Sequence, residues 1–315
     1  MKTAVLFAGQ GSQTVGMGKD IYEEYPEFRE VFDLLTEEQK KIAWEGPEEV
    51  LADTANTQPI MLAFGLGVYR ILQKAGFRPD MGAGLSLGEY TALAAAGEMT
   101  ASEAVALVTY RAQEMKKAAA GVNPEMIAVM GLSEEETAAC CRRVTESAEI
   151  TGIAEITNLN CPGQVIVSGD AEAVEKVSEE ALAAGAKRCM KLKVSGPFHT
   201  SYMEPAGEAL AERFQAVDWK EPEFPILYNY KGDFKSAIDT TSELLVKQVS
   251  HGVQMESILR KMVESGVEQV VEIGPGKTLA GFLRKIDRSV PCISISTAED
   301  IRQAWSLLSD GQEDA

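Results

Sequence analysis

The pentapeptide Gly84-Leu85-Ser86-Leu87-Gly88, set in "GAGLSLGEYTALAAAG", restricts the fold of this chain more than any other stretch. A serine between two glycines, followed by a run of small helix-compatible residues, fits a strand that turns sharply into a helix with the hydroxyl presented at the bend. The glycines serve that geometry, because a residue without a Cβ lets the strand and the following helix approach closely. A chain with 27 glycines meets such a pentapeptide by chance at an appreciable rate. The rest of the sequence has to decide whether Ser86 is a nucleophile or a turn residue.

The order of elements supports an α/β setting. "KTAVLFAGQGSQ" reads as a buried strand that ends in a glycine-punctuated loop. "QPIMLAFGLGVYRILQKAG" predicts a helix over 58–76, with Pro59 in its first turn and Gly76 as its stop. A short strand precedes Ser86, and two helical segments follow it to about Ala120, the second being "SEAVALVTYRAQEMKKAAA". From Glu125 to Val194 the rhythm becomes strand, helix, strand, "CPG" turn, strand, helix, strand. That βαββαβ order is the ferredoxin-like unit, which predicts a small subdomain over 125–194 inserted into a larger one built from 1–124 and 195–315. "PILYNY" and "QVVEIGPG" then bring the chain back into an α/β sheet, and the acidic tail "SDGQEDA" reads as disordered.

Bulk properties narrow the function. A net charge of −18 disfavours nucleic acid as a partner, since a phosphate backbone is repelled unless a local basic surface overcomes the field. One local basic stretch exists, "KRCMKLK", with Lys187, Arg188, Lys191 and Lys193, and it reads equally as a solvated strand edge or a phosphate contact. The apolar run in "TAVLFAG" is too short for a secretory core or a membrane span. Cys140, Cys141, Cys161, Cys189 and Cys292 are odd in number and lack C-x-x-C spacing, which suits reduced thiols in a cytoplasmic protein and points to no metal site.

A serine nucleophile needs a base, normally histidine, and the chain has two: His199 in "VSGPFHTSYM", where the predicted insertion returns to the main body, and His251 in "KQVSHGVQM". Domain junctions are where substrates commonly bind, which favours His199. The 48 acidic residues offer too many candidates for a third triad member. "GPGKT" suggests a phosphate loop, but that motif needs a glycine five residues before Gly276, where Val271 stands. "GQGSQ" after the first strand is either an ordinary glycine turn or a source of backbone N–H groups for an oxyanion.

In order along the chain, "GQGSQTVGMG", "TQP", "GLSLGEYTALAAAG", "YRAQEM", "NCPGQVIVSG", "GPFH" and "EIGPGKTL" resemble the malonyl-CoA:acyl carrier protein transacylases over nearly the whole length. The resemblance implies an α/β-hydrolase-like larger subdomain with the ferredoxin-like insertion. It also implies an enzyme that moves a malonyl group from malonyl-CoA to the phosphopantetheine thiol of acyl carrier protein through a malonyl-serine ester, without a cofactor, membrane or nucleic acid. Its residues carry over as Ser86 for the nucleophile, His199 for the base and acid, and the Gln248 backbone carbonyl as the group that orients His199. Backbone N–H groups of Gln10 and Leu87 form the implied oxyanion hole, and Leu87 follows also from the elbow itself. Arg111 is the implied partner of the malonyl carboxylate, Phe198 is similar to a residue associated with malonyl preference, and Gln58 and Asn160 match polar positions near the substrate.

Two departures from the family pattern stand out. Leu85 replaces the usual histidine before the nucleophile, and His251 with Gly252 occupies the place of an Asn-Pro-like pair. Competing readings are a serine esterase or thioesterase with the same elbow, a trans-acting acyltransferase of a polyketide synthase, and a non-catalytic acyl-binding module.

Overall fold

The computed structural model describes residues 1–147, 150–193 and 195–309, so the acidic tail from Asp310 onward lies outside the described residues. The strands are β1 (Thr3–Phe7), β2 (Met81–Gly84), β3 (Pro124–Met130), β4 (Ala154–Cys161), β5 (Gln164–Asp170), β6 (Arg188–Lys191), β7 (Leu227–Tyr228), β8 (Asp233–Phe234), β9 (Gln269–Ile273) and β10 (Cys292–Ile295). The chain divides into two compact units, residues 1–112 with 217–228 and 259–315, and residues 113–216 with 229–258.

The first unit is built on a parallel sheet of order β10-β9-β1-β2. Every residue of β1 and of β9 is buried, as expected of inner strands covered on both faces, whose sequences run apolar without alternation. Helix Thr54–Lys74 is buried on most of its circumference, and its apolar residues extend all round it. It starts four residues before the sequence-based boundary because Asp53 caps it, accepting a hydrogen bond from the Ala55 N–H at 2.9 Å. Pro59 therefore sits in the second turn instead of the first. "PILYNY" contributes less than expected: its strand β7 has two residues, and its link to the main sheet is a parallel bridge from Ile226 to Gly82.

At the end of β2 the chain turns into helix Leu87–Ala95. A Cβ on Gly84 would overlap the Gly88 carbonyl, and one on Gly88 would overlap the Phe7 carbonyl oxygen of β1. Both obstacles are backbone, so no rotamer change relieves them. Gly88→Ala would gain about 1 kcal/mol of helix propensity but meets an overlap typically worth 1–3 kcal/mol or more. We expect a net loss of up to about 2 kcal/mol, read as a lower urea midpoint; a raised midpoint would contradict the close packing of elbow and β1.

The second unit carries an antiparallel sheet of order β4-β5-β3-β6. Helices Glu134–Thr145 and Ala171–Ala183 contribute Cys140, Val144, Val174 and Val177 to one buried cluster with Ile127, Val129 and Val167 of the sheet. Ser133 and Glu136 form a reciprocal capping box that starts the first of these helices. Chain order through this region is strand, helix, strand, strand, helix, strand, as the periodicity predicts. Among the described residues β6 pairs with β3 alone, and Lys187, Arg188, Lys191 and Lys193 are exposed along this edge, where Lys191 pairs with Glu125 at 2.9 Å.

Candidate active site

Ser86 stands at the bend with φ 54° and ψ −107° and is half-buried. A non-glycine residue held there costs of order 1–3 kcal/mol, so the surrounding packing imposes the conformation. Leu85 N–H donates to the Phe7 carbonyl at 3.0 Å, which ties the bend to β1. Leu87 is the first residue of the helix, so its N–H has no intrahelical acceptor and points out at the positive end of the helix dipole.

Arg111, on helix Ala101–Ala118, is 1% exposed. Its Nη2 donates to Ser86 Oγ at 3.2 Å and its Nη1 to Gln58 Oε1 at 2.5 Å, and the Tyr90 ring lies 5.2 Å from the guanidinium carbon. Burial pulls the arginine pKa down, and the nearby Tyr90 and Glu89 oppose that shift. The group remains cationic, because a guanidinium ordinarily titrates far above neutrality. A buried cation thus touches the nucleophile oxygen directly.

Gln58 is also buried, and its Nε2 donates to Thr54 Oγ1 at 2.8 Å. Thr54 Oγ1 in turn donates to Gln10 Oε1 at 2.9 Å. Gln10 follows β1 in the "GQGSQ" loop, where Ser12 Oγ donates to the Gly9 carbonyl at 2.9 Å and the Gly11 N–H donates to Gln13 Oε1 at 2.7 Å. The loop is fixed by its own side chains, and Gln10 is additionally anchored from the helix.

In the second unit His199 is buried and held at φ 62°. Its Nδ1 lies 2.8 Å from the Gln248 backbone carbonyl. A carbonyl oxygen only accepts, so Nδ1 carries the proton and Nε2 of the neutral ring keeps its lone pair. That tautomer is the one a general base requires. The loop around it is tied down by Thr200 Oγ1 to the Pro197 carbonyl at 2.6 Å, Ser201 N–H and Oγ to Glu155 at 2.8 and 2.7 Å, and Tyr202 OH to Asp170 at 2.7 Å. Phe198 is buried beside it. Asn160, at the end of β4, is buried, and its Oδ1 meets no hydrogen-bond partner among the described residues.

The structure therefore gathers Ser86, Arg111 and Gln58 in one unit, links Gln10 to them through Thr54, and places His199 on Gln248 in the other. His251 is exposed at the end of helix Thr241–Ser250, with Nδ1 2.9 Å from the Lys247 carbonyl. At "GPGKT" the buried Glu272 carboxylate accepts the Leu279 and Ala280 N–H groups at 2.8 and 3.1 Å, so the start of helix Thr278–Ile286 is filled by the protein's own anion. Burial raises the Glu272 pKa. Thr54 and Tyr90 were not identified from sequence. The i, i+4 spacing of Thr54 and Gln58 would have paired them had the helix been started at Asp53. Among the described residues, no group of three or more His, Cys, Asp and Glu side chains is placed to hold a metal, and no helix is long and apolar enough to cross a membrane.

Residues 5–306 match the family model described as the acyl transferase domain. The chain is 38% identical to the malonyl CoA-acyl carrier protein transacylase of Bacillus subtilis (strain 168), covering 100% of this chain and 99% of that one. It is 34% identical to the protein of the same name from Staphylococcus aureus (strain MRSA252), covering 97% and 98%. Among solved structures, MCAT from Streptococcus pneumoniae superposes with a TM-score of 0.90 at 37% identity, covering 97% of this chain and 100% of that one. A structure of a type II PKS acyl-carrier protein in complex with its malonyl-transacylase, PlMCAT:AntF, gives a TM-score of 0.92 at 32% identity, covering 98% and 100%.

Proposed function

The chain belongs to the acyl transferase domain family, and from that membership we propose the route by which it transfers a malonyl group from malonyl-CoA to acyl carrier protein. Ser86 Oγ attacks the thioester carbonyl while its proton passes to His199 Nε2. The new C–O bond forms as the C–S bond breaks, and the imidazolium returns the proton to the coenzyme A sulfur. In the second half the phosphopantetheine thiol of acyl carrier protein gives its proton to His199 and attacks the malonyl-Ser86 ester. The thioester is re-formed and Ser86 recovers its proton. Electrons and protons balance without a redox group or metal, so we assign no cofactor. The developing oxyanion is received by the backbone N–H groups of Gln10 and Leu87.

A thiol leaves with a pKa of about 8.5, far below that of an amine, so a histidine oriented by the Gln248 carbonyl instead of a carboxylate is chemically sufficient. We assign Phe198 and Asn160 to the substrate environment on the strength of the family resemblance. We also read β3–β6 with their two helices as a ferredoxin-like subdomain over 125–194, a reading supported by the strand order β4-β5-β3-β6, and 1–124 with 195–315 as α/β-hydrolase-like, supported by the parallel sheet and the elbow after β2. The five cysteines, odd in number and without C-x-x-C spacing, support a cytoplasmic location.

The contact that carries the malonyl assignment is Arg111 Nη2 at 3.2 Å from Ser86 Oγ. If the guanidinium grips the malonyl carboxylate, Arg111→Ala leaves that charge unpaired in a dry site and costs about 2–5 kcal/mol. The expected loss in kcat/KM for malonyl-CoA is roughly 30-fold or more. Acetyl-CoA has no carboxylate to lose a partner, so its rate stays level or rises. Steady-state rates with both substrates at one salt concentration test this. A parallel fall for malonyl and acetyl would show that Arg111 serves the fold or the coenzyme A portion, and would favour a thioesterase that needs no carboxylate clamp.

A further inference from the structure

An unbroken series of side-chain hydrogen bonds connects the nucleophile to the loop after β1. Arg111 reaches both Ser86 Oγ and Gln58 Oε1, Gln58 Nε2 reaches Thr54 Oγ1, and Thr54 Oγ1 reaches Gln10 Oε1. The direction of the series follows from donor chemistry. A guanidinium has donors and no acceptor, so the carbonyl end of Gln58 must face Arg111. Its amide NH2 then faces Thr54, whose hydroxyl oxygen accepts and whose single proton is left for Gln10. Gln10 must answer with its carbonyl oxygen. The cation at the nucleophile thereby sets the orientation of a side chain in the proposed oxyanion loop.

We propose that Thr54 is a positioning residue for the oxyanion donor at Gln10, fastening the loop after β1 to the buried frame that holds Arg111. The proposal rests on the reading of Gln10 as an oxyanion donor. Thr54 suits the task physically. It is the first residue of a helix capped by Asp53, so its backbone is fixed by a long buried element. It is 2% exposed, so water has poor access to take over a lost hydroxyl. One hydroxyl serves as acceptor and donor at once, and valine, of nearly the same shape, would remove both links.

An oxyanion forms with every acyl group, whereas a carboxylate clamp matters only for malonyl. Single-turnover acylation of Ser86 by malonyl-CoA and by acetyl-CoA separates the two roles. Thr54→Val is expected to slow both acylations about tenfold, equivalent to about 1.4 kcal/mol, with the half-saturating concentration of either substrate little changed. Thr54→Ser, which keeps the hydroxyl, should stay within about threefold of wild type, a margin well under one decade. Gln10→Ala keeps the backbone N–H and cuts the same link from its other end, so it should match Thr54→Val, and the double variant should be no slower than either single one. Gln10→Ala also supplies the readout if Thr54→Val does not fold. Loss with malonyl alone would overturn the proposal by assigning Thr54 to the arginine. Equal slowing by valine and serine, unchanged rates in Thr54→Val and Gln10→Ala, or additive losses would overturn it too. Failure of the wild-type protein to form a malonyl ester on Ser86 would instead overturn the proposed function itself.

Discussion

The Ser86→Ala protein is expected to take up no malonyl group from malonyl-CoA, and transfer to acyl carrier protein should fall to background, a loss of about 10⁴-fold or more by analogy with other serine nucleophiles. The reason is local. Leu85 and Leu87 flank the position and Gly84 and Gly88 complete the turn, so no other group of the elbow offers a nucleophilic atom. Arg111 donates to the serine oxygen and cannot replace it. Alanine tolerates the imposed φ of 54° no better than serine and removes one acceptor from Arg111, so a modest change in stability is expected alongside the lost acylation. Circular dichroism on the same sample separates the two effects. Appearance of a stable malonyl adduct on the folded variant would mean that the nucleophile lies elsewhere.

Replacement of the proposed base has the next largest effect. His199→Ala should slow acylation by about 10²–10⁴-fold, the range for a positioned general base, whereas His251→Ala should leave it nearly unchanged. The contrast rests on environment. His199 is buried with Nδ1 committed to the Gln248 carbonyl, so in the neutral ring Nε2 is the nitrogen that carries no proton. His251 is exposed, and its ring packs edge-on against Tyr230. Single-turnover rates for the two variants at one pH decide between them. A larger loss from His251→Ala would show the base to be misassigned.

Much of this arrangement could be read from the residues. The βαββαβ order of 125–194 was legible because its strands and helices alternate between clear periods, each bounded by turn or capping residues such as Ser133 and Gly163. The elbow was legible although β2, "MGAG", carries almost no strand propensity, because two glycines around a serine are a steric requirement. Short elements were harder. β10 has four residues and went unread, and "PILYNY" has strand composition while contributing only a two-residue strand and one bridge to β2. Propensity describes single residues, and sheet membership depends on which edge is open.

The functional side chains divide in the same way. Ser86 and Leu87 follow from the local turn. Arg111 is singled out by resemblance alone, since helical spacing does not reveal that its face meets Tyr90, Gln58 and Ser86. Thr54 was hidden because the helix was begun at Gln58, beside Pro59, when the Asp53 cap starts it a full turn earlier. The Gln248 contact involves a backbone carbonyl, which every residue possesses, so no side-chain pattern could have marked it.

The central claim is that one malonyl group passes through Ser86 on its way to acyl carrier protein. Intact-mass measurement of the wild-type protein after brief mixing with malonyl-CoA, followed by removal of coenzyme A and addition of holo acyl carrier protein, tests it most directly. The account predicts one malonyl group per chain, mapped to the peptide that contains Ser86, and its quantitative appearance on the carrier protein's phosphopantetheine thiol. An unmodified protein, or an adduct that decays to free malonate while the carrier protein stays unacylated, would contradict it.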